Sequence, residues 1–354
     1  AERLARYYRK KGCESESMRV IKVLGNTFEN AAGKVAPLVA VSWLERMYHI
    51  CLQYNLKADA ERLACKIREL GPKVRAGMKR ISHKVKIPIQ DFNSDIEKMV
   101  EGNVEEVMAR IAAEYVPRCN KIEKQLRDAS KEAPLISMAT KLDIDHDGCV
   151  VSKVGPLEED VDGNIIKEIS SDMIRSSVYS GAVLDRMISK FDLKEDEVVD
   201  YLFLSPVFKT EQKSILLSAV HAYLQKDFVV AIHLLVPQIE AAIRNLVELS
   251  GGPILKPSRE GGFQLKNLDD LLRAEEVNQT IGPKIARYFC VVLTDKRGWN
   301  VRNIVCHGIL AHDRFSKEVA DRLIHILIVI AQVRAKGPFA RKTPGRRKHT
   351  PHGR

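Results

Sequence analysis

Apolar residues recur at alternating intervals of three and four along most of this chain, and that spacing commits it to helices. Ile21, Leu24, Phe28 and Ala31 follow it, as do Val41, Leu44, Tyr48 and Cys51, and Ala60, Leu63, Ile67 and Leu70. The longest such series is Ile232, Leu235, Ile239, Ala242, Leu246 and Leu249, in a helix expected from about Phe228 to Leu249. At roughly 100° of rotation per residue these positions form one stripe of a helix, whereas a half-buried strand needs every second residue.

Gly12, Pro37, Asn55 and Gly71 punctuate the first three runs at helix ends. The resulting short paired helices look like tetratricopeptide-type repeats, but the aromatic and glycine positions that define those repeats are not met. Residues 1–85 are therefore expected to form a helical-hairpin, repeat-like region, a kind of surface that suits a protein partner. "ISHKVKIPI" (81–89), β-branched and broken by Pro88, reads as a linker or short strand, and a helical pair is expected over about 94–132. The stretch from Lys141 to Ile169 alone has strand character, with Asp-Gly turn signals at 147–148 and 162–163. Helices resume from Asp172, one of them with Thr210 as its N-cap, pause at "SGGPILKPSREGGFQL" (250–265), and end with 316–334 behind Ser316 as N-cap. The expected architecture is mainly all-α: a repeat-like region over 1–85, a helical middle region with a short hairpin over 86–205, a helical bundle over 206–335 and a tail over 336–354.

Composition narrows the function classes. The apolar run from Leu323, "LIHILIVIAQV", is too short to span a bilayer and holds His325 and Gln332, so it reads as a buried helix. No basic start followed by an apolar run marks a signal peptide. Seven scattered cysteines, odd in number and without a CxxC pair, speak for reduced thiols, no structural zinc and a cytoplasmic protein. The formal charge is +11, of which residues 336–354 supply seven basic residues and no acidic ones. That leaves about +4 for the remainder. A tail rich in Pro, Gly and cations cannot bury a core; Arg341, Arg346 and Arg347 within it either grip nucleic-acid phosphates or serve only solubility.

Most motifs reduce to structural roles. "DIDHDG" (143–148) begins like a calcium loop but has Val154 where the closing glutamate belongs, so a turn is the expected reading. "GGPILKPSREGG" lacks the Gly-Lys-Ser/Thr ending of a phosphate-binding loop; it is expected to be a flexible interhelical loop whose Lys256 and Arg259 can touch a polyanion. His221, His233 and His325 fall within helical stretches and read as hydrogen-bonded or partly exposed side chains. No cluster has metal-ligand spacing, and neither a nucleophile elbow nor a dinucleotide fingerprint is present. No metal or cofactor is expected.

"DKRGWNVRNIVCHGIL" (295–310) carries the remaining chemistry. Asn300 suits the N-cap of a helix from Val301, and Gly308 the left-handed position where helices stop. His307 then lies in the last turn, where the helix dipole favours its protonated form. Asn303, four residues earlier, shares its face and is placed to orient the imidazole. Arg302 lies about 140° around the helix from His307, which suits a site completed by two copies of the helix better than one on a single face. An imidazole that moves a proton at a ribose 2′-hydroxyl, with a guanidinium that neutralises the phosphorane, is what metal-free RNA cleavage needs. On spacing alone the favoured reading is still a plain helix end, because R-x4-H recurs by chance.

The motif Arg302-Asn303-x-x-x-His307 resembles the signature of the HEPN superfamily (higher eukaryotes and prokaryotes nucleotide-binding), an arginine followed after four to six residues by a histidine. With "LVPQIEAAIRNLVELSG", "LKNLDDLL" and "VADRLIHILIVIAQVR", the segment is similar to a bacterial family of unknown function that reads Arg-Asn, then Ala-His-Gly; Cys306 stands here in place of the alanine. The resemblance implies a helical bundle that dimerises with two motifs facing one cleft, and a metal-independent endoribonuclease of the kind found in phage defence, toxin–antitoxin systems and stress responses. His307 is then the acid/base, Arg302 the phosphate clamp and Asn303 the orienting residue. Asn300 supports them, as does the Glu240–Arg244 pair, which is otherwise an ordinary i,i+4 helix salt bridge. Arg297 joins the candidate RNA contacts. The alternatives are a noncatalytic scaffold that dimerises through the C-terminal region, and a nucleic-acid binder relying on the tail.

Overall fold

The structure is a computed structural model that describes residues 1–79, 86–145, 147–308 and 315–334. The tail with Arg341, Arg346 and Arg347, most of the expected 81–89 linker, and Ile309 and Leu310 of the motif segment lie outside the described residues. The chain is mainly α-helical, with two small two-stranded sheets, and it divides into two compact units.

The first unit combines the N-terminal helices with residues 140–154. It holds α1 (Glu2–Lys10), α2 (Glu14–Ala32), α3 (Pro37–Gln53) and α4 (Lys57–Ala76), each packed on the next in sequence. Ile21, Leu44, Cys51 and Leu63, from the apolar stripes, form its core with Ala5, Ala40 and Met47. Gly12 and Asn55 take positive φ at the ends of their helices, and Pro37 opens α3. Gly71 does not end α4, which runs on through Pro72 to Ala76. Gly71 is instead the place where the turn of the β1 (Lys141–Ile144)–β2 (Val150–Val154) hairpin comes down on the helix: a side chain there would run into the Asp147 carbonyl. Within that turn Asp145 accepts from the backbone N–H of Asp147 and Cys149, so "DIDHDG" is a turn closed by its own aspartate.

The second unit comprises residues 86–139 and the described residues from Gly155 onward. Three helices, α5 (Ile89–Met99), α6 (Val104–Glu114) and α7 (Cys119–Glu132), occupy the stretch where a pair was expected, followed by the single turn α8 (Pro134–Ser137). The second Asp-Gly dipeptide is not a hairpin turn. Asp160 caps the N–H of Gly163, and α9 runs from Val161 to Phe191, starting some ten residues before the expected Asp172. Then come α10 (Glu195–Leu202), a 3-10 turn at Thr210–Gln212 with Lys209 rather than Thr210 in front of it, α11 (Lys213–Leu224) and α12 (Phe228–Leu249). The glycine-rich segment is not a plain loop either: β3 (Leu255–Pro257) and β4 (Phe263–Leu265) pair as an antiparallel hairpin. The chain continues through α13 (Leu268–Leu272), α14 (Glu275–Ile281), α15 (Pro283–Leu293), α16 (Val301–Cys306) and α17 (Lys317–Ile330).

Helix α17, with Ser316 at its N-cap position but without a side-chain capping bond, is buried on all sides from Ala320 to Ile330 and packs against α6, α9, α10 and α12. One hydrophobic core therefore joins residues from Ile96 to Ala331, and the expected boundary at 205 falls inside it. Among the described residues α12 is long and apolar enough to cross a bilayer, but its 231–247 stretch is packed into this core.

Candidate functional site

The site grows out of the turn between α15 and α16. Thr294 and Asp295 both donate their backbone N–H to the Cys290 carbonyl, which stops α15. The chain then doubles back, and Trp299 N–H donates to Val291 O at 2.8 Å. Gly298 lies against that same carbonyl, where a side chain would collide with it. Asn300 enters the left-handed region (φ 52°, ψ 31°), a conformation asparagine tolerates better than most residues, and the six residues of α16 follow.

Asn300 holds the N-cap position, but its side chain does not cap the backbone. Its Oδ1 accepts from Asn303 Nδ2 at 2.7 Å, and the same amide nitrogen donates to Thr294 O at 3.3 Å. Asn303 Oδ1 accepts from Arg302 Nη1 at 3.3 Å. The Asn303 amide thus locks the turn and steadies the arginine; it does not orient the imidazole of His307. Arg302 Nε donates to Glu240 Oε2 at 2.9 Å, while Glu240 Oε1 accepts from Arg244 Nη2, also at 2.9 Å. Glu240 is therefore more than half of an i,i+4 pair on α12: it carries one arginine from its own helix and one from α16. Its side chain is only 15% exposed, and that of Arg302 22%, so the pair is screened from water far better than a surface salt bridge.

Arg302 Nη2 has no hydrogen-bond partner among the described residues. The guanidinium and Asn303 form one side of a depression of about 420 Å³. Asn267, Asp269, Arg273, Thr294 and Lys296 contribute to the rest of its wall. Thr294 Oγ1 donates to Asp269 Oδ1, and Arg273 pairs with the same aspartate. His307 takes the C-cap position of α16, with Gly308 at φ 65° behind it as expected. Its side chain is exposed and has no hydrogen-bond partner among the described residues.

Three of the expected RNA contacts are placed differently from one another. Arg297 is engaged with Asp295 at 2.9 Å and Asp162 at 3.0 Å; these carboxylates hold its pKa above the ordinary arginine value. Burial pushes the Asp295 carboxyl up, but the hydrogen bonds and charge of Arg297 outweigh that and keep it below its usual value. Arg297 thus ties the turn to the start of α9, which leaves it poorly placed to leave for a phosphate. Lys256 is ion-paired with Asp270. Arg259, at the tip of the β3–β4 hairpin, is exposed and has no partner among the described residues.

The three helical histidines are structural, each in its own way. His233 bonds the Val229 carbonyl and stacks on Phe315, and His221 meets Glu195. His325 is fully buried between Tyr288 and the Ile111 carbonyl. Among the described residues no three His, Cys, Asp or Glu side chains gather as a metal-ligand cluster. Sequence reasoning missed Thr294, Asp269 and Asn267, whose only signal was their place in segments flanking the motif. No family model, no curated protein and no solved structure matches this chain.

Proposed function

We propose that this protein is a metal-independent endoribonuclease of HEPN type, working as a homodimer in which the Arg302–His307 segments of two chains face a shared cleft. The observation that carries the reading is the state of Arg302. One carboxylate and one amide fix the guanidinium, and its Nη2 is left over beside an open depression. A guanidinium held this way meets a phosphate with little ordering cost and stabilises charge that develops on it.

In the reaction His307 takes the proton of the ribose 2′-hydroxyl as that oxygen attacks the neighbouring phosphorus. The P–O5′ bond breaks, His307 gives the proton it took to the departing 5′-oxygen, and a 2′,3′-cyclic phosphate remains. Arg302 neutralises the pentacoordinate phosphorane. The exposed imidazole at the end of α16 suits this proton transfer, and the offset of about 140° that five residues make on an ideal helix is the reason for a second copy. A role in phage defence or a toxin or stress response fits such an activity.

The test is RNA cleavage by the purified chain in EDTA, with the ends identified by phosphatase and kinase treatment. His307→Ala should lower the rate by about 10² to 10⁴ with an unchanged melting temperature. Retained cleavage in that variant would refute the assignment. A second reading, a noncatalytic scaffold, is favoured by the Glu240–Arg302 ion pair itself, since a structural link between α12 and α16 would look the same. It predicts that Arg302→Ala destabilises the fold and that the wild-type chain leaves RNA intact.

A further inference from the structure

The cations of this chain are not spread evenly over its two units. Residues 1–85 with 140–154 contain 20 lysines and arginines against 11 acidic residues. The remainder, short of the basic tail, contains 30 against 35. The mild positive charge of the body is thus the difference between a strongly basic N-terminal unit and an acidic C-terminal one.

Helix α1 shows how that charge is presented. Ala5 is fully buried and fixes which side of the helix faces the core. On the opposite side Arg3, Arg6, Tyr7, Lys10 and the following Lys11 are all exposed, within an arc of roughly 140° at 100° per residue. Tyr7 is 54% exposed, and Lys11 Nζ lies 5.9 Å from the centre of its ring. Arg3, Lys10 and Lys11 have no ion pair among the described residues. Arg6 reaches only Glu2, at 3.7 Å, and that carboxylate is already bound by Arg46 at 2.7 Å. Arg3, Arg6 and Leu24, with Ala1 and Glu2, also line an open depression of about 520 Å³. A solvated helix face normally balances its cations with acidic residues three or four positions away. Only Glu2 does so here.

We infer that this face of α1 binds single-stranded nucleic acid, with an unpaired base stacked on Tyr7 and the backbone phosphates held by Arg3, Arg6, Lys10 and Lys11. Aromatic rings set among cations are the common device for gripping a single strand without reading its sequence. A duplex hides its bases and can use only the cations. The site is independent of the ribonuclease reading and would serve a protein that cuts nothing.

The experiment is a fluorescence-anisotropy titration of the full chain with labelled oligothymidylate over a range of NaCl concentrations. This probe lacks the 2′-hydroxyl that the proposed cleavage needs, so the result does not depend on that activity. Tyr7→Ala should weaken binding roughly 5- to 100-fold, while Tyr7→Phe, which keeps the ring, should bind as the wild type does. The triple variant Arg3→Ala, Lys10→Ala, Lys11→Ala should lower the slope of log K against log salt by about 2, at about 0.7 per phosphate contact. Circular dichroism melts show whether each variant keeps its fold. Unchanged affinity in Tyr7→Ala, an unchanged salt slope in the triple variant, or equal competition by duplex DNA of the same length would each overturn the proposal.

Discussion

Glu240 sits 62 residues before Arg302 and satisfies it together with Arg244, so removing its charge leaves two partly buried guanidinium groups without their carboxylate. Uncompensated charge in a partly dry setting costs more than the lost pair was worth. Glu240→Gln should therefore destabilise the second unit by about 1–3 kcal/mol in urea titrations, and the proposed RNA cleavage should fall with it as Arg302 loses its fixed position. His325 gives a prediction of a different kind. The Ile111 carbonyl can only accept, so Nε2 carries the proton and Nδ1 accepts from the Tyr288 hydroxyl. Complete burial, with the Arg322 charge nearby, lowers its pKa from 6.5 to about 3. The native state thus holds His325 neutral while the unfolded chain takes up a proton below about pH 6.5. The stability this neutral histidine contributes is fully present above pH 6.5 and is lost as pH falls toward 3, by about 1.4 kcal/mol per pH unit. Urea titrations at pH 7.5 and pH 5 should show a larger loss in the wild type than in His325→Gln.

Helix α16 is only six residues long and is too short to hold itself together, so the turn before it decides where Arg302 and Asn303 point. Gly298 is where that turn touches α15, and no side chain fits against the Val291 carbonyl. Gly298→Ala should cost about 1–3 kcal/mol by overpacking, read as a lower melting temperature. Elements with a strong period were legible before the fold was known: the spacing predicts a helix over 228–249, and α12 spans Phe228–Leu249. Short signals misled where a distant or neighbouring group took the residue over. Asp162-Gly163 reads as a hairpin turn in isolation, but the residues after it have a helical period and Asp160 caps them. Gly71 reads as a helix stop, yet a turn from residues 147–148 needs the missing side chain inside the last turns of α4.

The two units have separate hydrophobic cores, one built on Leu44, Met47 and Leu63 and the other on α12, α15 and α17. Separate cores need not melt together. Leu44→Ala, which opens a cavity in the first core, should cost that unit about 2–5 kcal/mol. Calorimetry should show one transition moving and the other staying in place; a single transition that moves as a whole would mean the units fold cooperatively. The proposed dimer belongs to this scale as well. Sedimentation velocity should find twice the chain mass, and mixing His307→Ala with Arg302→Ala chains should restore part of the cleavage if each site draws on both copies.

Apolar spacing by itself determined that this protein is helical and where α12 runs, and capping residues marked Asn300 and Gly308 as the brackets of a short helix, because those properties depend on residues a few positions apart. The sequence also placed arginine, asparagine and histidine within one six-residue span. Only the tertiary structure decided what holds them. Glu240 meets Arg302 because α12 packs against α16, and Arg297 is held by Asp162 because the same core brings the start of α9 to the turn. Such partners lie 62 and 135 residues apart in the chain, and no local pattern encodes a contact that packing alone creates.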